Sequence, residues 1–78
     1  MAPEAVVARV FGIARAAVTD ATSNATVAEW DSLNHVTLIL ELETTYGVSF
    51  SAEETLSMTD VAAIKRVLRS HGASWDGA

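Results

Sequence analysis

The sequence predicts a small all-α fold: a four-helix bundle with three main helices, one short helix and a long loop between the first two. Three observations carry that expectation. Apolar residues recur at three- and four-residue spacings in segments separated by polar stretches. Helix start and stop chemistry punctuates those segments at Asp31, Gly47 and Ser51. The composition, half hydrophobic with one proline and four glycines, is that of a chain that folds. Seventy-eight residues make a single domain, near the size at which one hydrophobic core becomes marginal. Residues 1–72 are expected to form it, and 73–78, which lack periodicity, to be a mobile tail.

Pro3 suits the first turn of a helix, and Val6, Val7, Val10, Phe11, Ala14 and Val18 keep helical spacing, which predicts a first helix over about residues 3–18. Gly12 inside it costs about 1 kcal/mol relative to alanine, a penalty that packing by Phe11 and Ile13 can offset. From Thr19 to Glu29 the chain is rich in Thr, Ser, Asn and Asp, whose side chains compete with helical backbone bonds. An ordered loop is expected there, pinned by Val27 and Trp30, because an unanchored loop this long is unusual in so small a domain.

The second helix is expected over Ser32–Tyr46, ended by Gly47 in the left-handed conformation. It carries two apolar stripes. Leu38, Ile39, Leu42 and Tyr46 form one, read as the core face; Leu33, Val36 and Leu40 form the other, which is either covered by the loop or left for a partner. Ser51 followed by Glu54 is a capping-box pattern and predicts a short helix over about residues 52–56, with Phe50 as a staple. Ser57 or Thr59 is expected to cap the last helix, whose apolar line is Val61, Ile64 and Leu68 with Val67 beside it. Lys65, Arg66 and Arg69 follow in its later turns, where cations complement the helix dipole. The sequence leaves Trp75 open between folding back on the bundle and lying exposed.

The net charge of −5 is less informative than its placement. Between residues 16 and 64 there are eight acids and no lysine or arginine. Such a field repels phosphate backbones, so nucleic-acid binding is disfavoured, while it can steer basic protein surfaces toward the chain. No cysteine is present, which excludes disulfides and thiolate metal sites, and any thiol chemistry must come from an added group. No apolar run is long enough for a transmembrane helix, and a basic start followed by an apolar signal core is missing. The chain is expected to be cytoplasmic, monomeric and free of membrane.

Chemistry concentrates in Glu29-Trp30-Asp31-Ser32-Leu33-Asn34-His35-Val36. Asp31 can occupy the N-cap, where its carboxylate satisfies an orphan backbone N–H, and Ser32 then presents its hydroxyl from the first turn. Asp-Ser before a periodic apolar run is also ordinary capping chemistry. The longer string, continuing through Glu41-Leu42-Glu43, Tyr46-Gly47-Val48 and Ser51-Ala52-Glu53-Glu54, resembles the acyl carrier proteins over roughly residues 3–70.

That resemblance implies a 4′-phosphopantetheine arm on Ser32, whose terminal thiol carries acyl groups as thioesters, and a chain with no catalysis of its own. It implies as partners a phosphopantetheinyl transferase and an acyl-loading enzyme, acyltransferase or ketosynthase. Asp31 would present a carboxylate to the transferase, and Leu33, Val36 and Leu40, with Glu41 and Glu43, would form the partner face. Asn34, Thr37 and Thr44 stand where fatty-acid carriers often have acids. The resemblance therefore points to polyketide or related secondary-metabolite biosynthesis, with fatty-acid or non-ribosomal peptide synthesis as alternatives. An unmodified helical interaction module is the alternative of another class.

A conventional enzyme site is hard to assemble. His35 lies one turn after Ser32, so a Ser–His pair is possible by spacing, but a chain of this length leaves little room for an oxyanion hole and a substrate pocket. No metal is expected either, since two separated histidines and scattered acids lack ligand spacing.

Overall fold

The computed structural model describes residues 1–75. Its helices are α1 (Pro3–Phe11), α2 (Ser32–Tyr46), α3 (Ala52–Ser57) and α4 (Val61–Ser70), with a short 3₁₀ turn at Arg15–Ala17. No strand occurs among the described residues, so the fold is the all-α bundle expected. The expectation of a mobile tail falls partly on residues 76–78, which lie outside the described residues; Ala73 and Trp75 pack against the core.

The first helix is shorter than its apolar spacing suggested. Gly12 is its stop rather than an interior defect: with φ 66° it takes the left-handed conformation, and the Gly12 and Ile13 N–H groups both donate to the Ala8 carbonyl. Ala14, placed in the apolar line by spacing alone, is exposed, whereas Val18 reaches the core from beyond the 3₁₀ turn. Periodicity persisted across the break because the 3₁₀ turn also repeats near every third residue.

α2 spans the residues expected. Asp31 caps it by accepting the Asn34 N–H at 2.8 Å, and Gly47 closes it at φ 66°. α3 has the full capping box, the Ser51 hydroxyl accepting the Glu54 N–H while Glu54 accepts the Ser51 N–H. Phe50 anchors this helix against the core and the His71 ring, because the residue a staple would meet, Thr55, is polar. The cap of α4 is Asp60, not Ser57 or Thr59: its carboxylate accepts the Ala63 N–H at 2.7 Å. Ser57 instead donates to the Glu54 carbonyl within α3.

The core joins α1, α2 and α4 through Val6, Val7, Phe11, Leu38, Leu42, Ile64 and Leu68, with Met58 filling the space beneath α3. The long loop is held by backbone bonds to α4. Val61 N–H donates to Thr22 O, Ala62 N–H to Asp20 O and Asn24 N–H to Thr59 O, so the free donors at the start of α4 are met by the loop. Val27 packs on the core, and Trp30 is buried against Phe11 with ring centroids 5.0 Å apart. Trp75 folds back, meeting Tyr46 edge-on and lying under the Arg69 guanidinium.

One ammonium ties three segments. Lys65 on α4 reaches Glu4 on α1 at 2.6 Å and Asp20 in the loop at 2.7 Å. Burial pushes the Glu4 carboxyl up, but the hydrogen bond from Lys65, a backbone N–H and the charges of Lys65 and Arg15 outweigh it and hold it below 4.5. Hydrogen bonds to Asp20 and then Glu4 hold Lys65 above 10.5. A depressed carboxylate stabilises the fold above its unfolded pKa and loses that contribution as pH falls through the folded one; a raised lysine stabilises below its unfolded pKa and loses it as pH rises through the folded one.

The urea midpoint of the wild type is thus expected to exceed that of Lys65→Met most at neutral pH, with the gap closing toward both acid and alkali. A constant gap across the pH series would remove the linkage. In the core, Leu42→Ala is expected to cost about 2–5 kcal/mol and the exposed Leu40→Ala less than about 1 kcal/mol by denaturant titration. Equal losses would mean that the stripes of α2 are assigned the wrong way round.

Candidate functional site

Ser32 is the first residue of α2 and is exposed. Asp31 turns its carboxylate inward to the Asn34 N–H, and among the described residues nothing takes up the Ser32 hydroxyl or the backbone N–H groups of Ser32 and Leu33. The positive end of the α2 dipole adds to those donors, so the position favours a nearby anion by about 0.3–1 kcal/mol. Asp31 opposes that attraction with its own charge. Asn34 also holds the approach to the serine: its side-chain amide donates to the Glu29 carbonyl at 2.7 Å, a bond that an acid at this position could not make.

Beside Ser32 lies a groove of about 380 Å³. Trp30, His35 and Val36 line it together with Thr55, Leu56 and Thr59. His35, which spacing alone suggested as a base for Ser32, has both ring nitrogens engaged elsewhere: Nδ1 accepts the Trp30 indole N–H at 3.0 Å and Nε2 faces the Thr55 carbonyl at 2.8 Å.

The second apolar stripe of α2 is not covered by the loop. Leu33, Val36 and Leu40 are 76, 54 and 58% exposed, whereas Leu38, Ile39 and Leu42 are buried. Leu56 on α3, 78% exposed, also lines the groove and was not singled out in the sequence. Its signal was there: the residues three and four away are Glu53, Ala52, Thr59 and Asp60, so no large apolar mate gives it a helix face to bury.

The two acids read as partner-facing have local ties. Glu41 pairs with Arg9 at 3.3 Å across an exposed surface, an arrangement worth little in stability. Glu43 accepts the Phe50 N–H at 2.8 Å, joining the end of α2 to the segment that starts α3. In the first turn of α3, Glu54 pairs with His71 at 3.0 Å, and its carboxyl is held below the usual range by the Ser51 N–H first and His71 second.

Among the described residues no cluster of three or more His, Cys, Asp or Glu side chains is placed to hold a metal, and no helix is long and apolar enough to cross a membrane. In comparisons with known proteins no family model matches the chain, and no curated protein matches it.

Proposed function

We propose that the chain is an acyl carrier: Ser32 bears a 4′-phosphopantetheine arm and the bundle presents the tethered acyl group to partner enzymes of polyketide or related secondary-metabolite biosynthesis. The observation that carries this reading is the exposed, uncommitted Ser32 hydroxyl at the N-terminus of α2, beside an open groove. In the attachment step a transferase directs the Ser32 oxygen at the pyrophosphate of coenzyme A. A serine–phosphorus bond forms, the pyrophosphate P–O bond breaks, the adenosine bisphosphate leaves and the hydroxyl proton goes to solvent or a base of the transferase.

The residues present fit such a group. The Ser32 and Leu33 N–H groups have no partner among the described residues and can donate to a phosphodiester on Ser32, while Asp31 and Asn34 are engaged in the helix cap and the tie to Glu29. The arm supplies the thiol that the cysteine-free chain lacks. Leu33, Val36, Leu40 and Leu56 offer apolar contacts to a partner, with Glu41 on the same helix to attract a basic surface. The engagement of both His35 nitrogens supports a carrier over a hydrolase, since they are directed at Trp30 and Thr55 and not at Ser32. The four exposed apolar side chains also suit an unmodified interaction module, the second reading.

Incubation with a broad-specificity phosphopantetheinyl transferase and coenzyme A separates the two. The wild type is expected to gain one phosphopantetheine mass and Ser32→Ala none; an unmodified wild type favours the interaction module, and a modified mutant removes Ser32 as the attachment point. For partner encounter, Gln at positions 41 and 43 keeps the hydrogen-bonding oxygens and deletes two charges. Association with a basic loading enzyme is expected to slow and to lose salt dependence in that double variant, while Leu40→Ala chiefly speeds dissociation. Stopped-flow rates equal to wild type at low salt would leave the acidic middle as a solubility feature only.

A further inference from the structure

The ring of His35 sits between two partners of fixed character. An indole N–H only donates and a carbonyl only accepts, so the Trp30 contact requires a lone pair at Nδ1 and the Thr55 contact a proton at Nε2. Of the three forms an imidazole can take, the neutral Nε2–H tautomer alone satisfies both. Three segments meet in that ring: Trp30 at the end of the loop, buried on Phe11; His35 in the second turn of α2; and Thr55 on α3. α3 itself contains no buried residue, so polar ties carry much of its attachment. Trp30, His35 and Thr55 all line the groove beside Ser32, so the ring ties two of its lining segments to each other.

We propose that His35 is a proton-sensitive latch on this groove. Neutral, it ties the end of the loop to α3 within the groove that Ser32 also lines. Protonation at Nδ1 places an N–H against the indole N–H, so the Trp30 bond breaks and the buried indole loses its acceptor, while the Nε2 bond to Thr55 is kept. The tie from the ring to Trp30 is thereby lost while the tie to α3 stays, and the loop keeps its own bonds to α4.

The surroundings are sparse in charge. From its own helix, Asp31 is the ionisable neighbour in the groove and is turned to the Asn34 N–H; the dipole of α2 places its positive end at the same turn. From the loop, Trp30 brings a neutral donor and Glu29 shares its carbonyl with Asn34. From α3, Thr55 brings a carbonyl, while Glu54 is occupied by Ser51 and His71. Asp60 of α4 is turned to Ala63. The consequence for an arm on Ser32 rests on the carrier reading, but the latch does not.

The test is a pH titration of the ¹⁵N-labelled full chain by NMR, without any arm attached. The His35 nitrogen shifts are expected to show the Nε2–H tautomer, and the Trp30 indole signal to move as His35 takes up a proton. Trp75, which meets Tyr46 and Arg69 instead, supplies the reference indole.

Two variants divide the bridge. His35→Asn keeps an acceptor near the Nδ1 position and lacks the distal donor; its Trp30 signal is expected to be pH-independent, and amide exchange at residues 55–58 to quicken about tenfold. His35→Gln restores a distal donor and is expected to return exchange toward wild type. An Nδ1–H tautomer, or an indole signal indifferent to His35 protonation in the wild type, overturns the proposal and needs no variant to fold. Wild-type exchange rates in His35→Asn overturn the α3 half. Failure of Ser32 to accept phosphopantetheine leaves all three readouts in place and removes only the consequence for the arm.

Discussion

The start of any α-helix leaves backbone N–H groups without partners, and in this bundle the long loop supplies the partners that α4 needs. Asp20 and Thr22 give their carbonyls to Ala62 and Val61, and Asp60 covers Ala63. The exchange works in both directions, because the loop would otherwise carry its own unsatisfied carbonyls over a core it partly covers. Lys65 reinforces the junction from the next turn of α4 by holding Asp20 and Glu4 together. Everything that the loop delivers to the Ser32 site depends on this seam.

What it delivers is Trp30 and the cap of α2. With the loop fixed at α4, Trp30 reaches the pocket against Phe11 and turns its indole N–H to His35, while Asp31 and Asn34 order the last residues before the serine. The Ser32 hydroxyl is left out of this network. An exposed serine hydroxyl that no described residue takes up, at a capped helix start, suits a site that a second protein modifies, and it is the physical basis of the proposed carrier function. α3 has less support, through the neighbouring contacts of Thr55 with His35 and of Glu54 with His71. Elements held in this way open more readily than a packed core.

Charge follows a similar division. Glu4 and Asp20 are engaged by Lys65 and Glu43 by the Phe50 N–H, while Asp31, Glu54 and Asp60 serve helix starts. Glu41 is offset in part by Arg9. The anionic field along the chain is therefore weaker on α2 than a count of acids suggests, which agrees with the neutral Asn34, Thr37 and Thr44 on the same helix.

Local chemistry was readable without tertiary structure where the residues that act lie within a few positions of one another. The span of α2, its Asp31 cap and Gly47 stop, the capping box of α3 and the two stripes of α2 follow from spacing and capping alone. The first helix was read too long because Gly12 has the same letter whether it is tolerated inside a helix or ends one, and only the backbone angle decides. The α4 cap went to the wrong residue because Ser57, Thr59 and Asp60 are all capable, and the loop carbonyls that fix the register come from about forty residues away. The same reason hid the clamp on His35. Its spacing from Ser32 was visible, but Thr55 belongs to another helix and Trp30 faces the ring only after the loop has closed on α4. Sequence by itself determined where the helices lie, apart from the end of the first, and which serine stands at the start of α2; tertiary structure decided which side chains surround that serine, because those contacts join residues that only packing brings together.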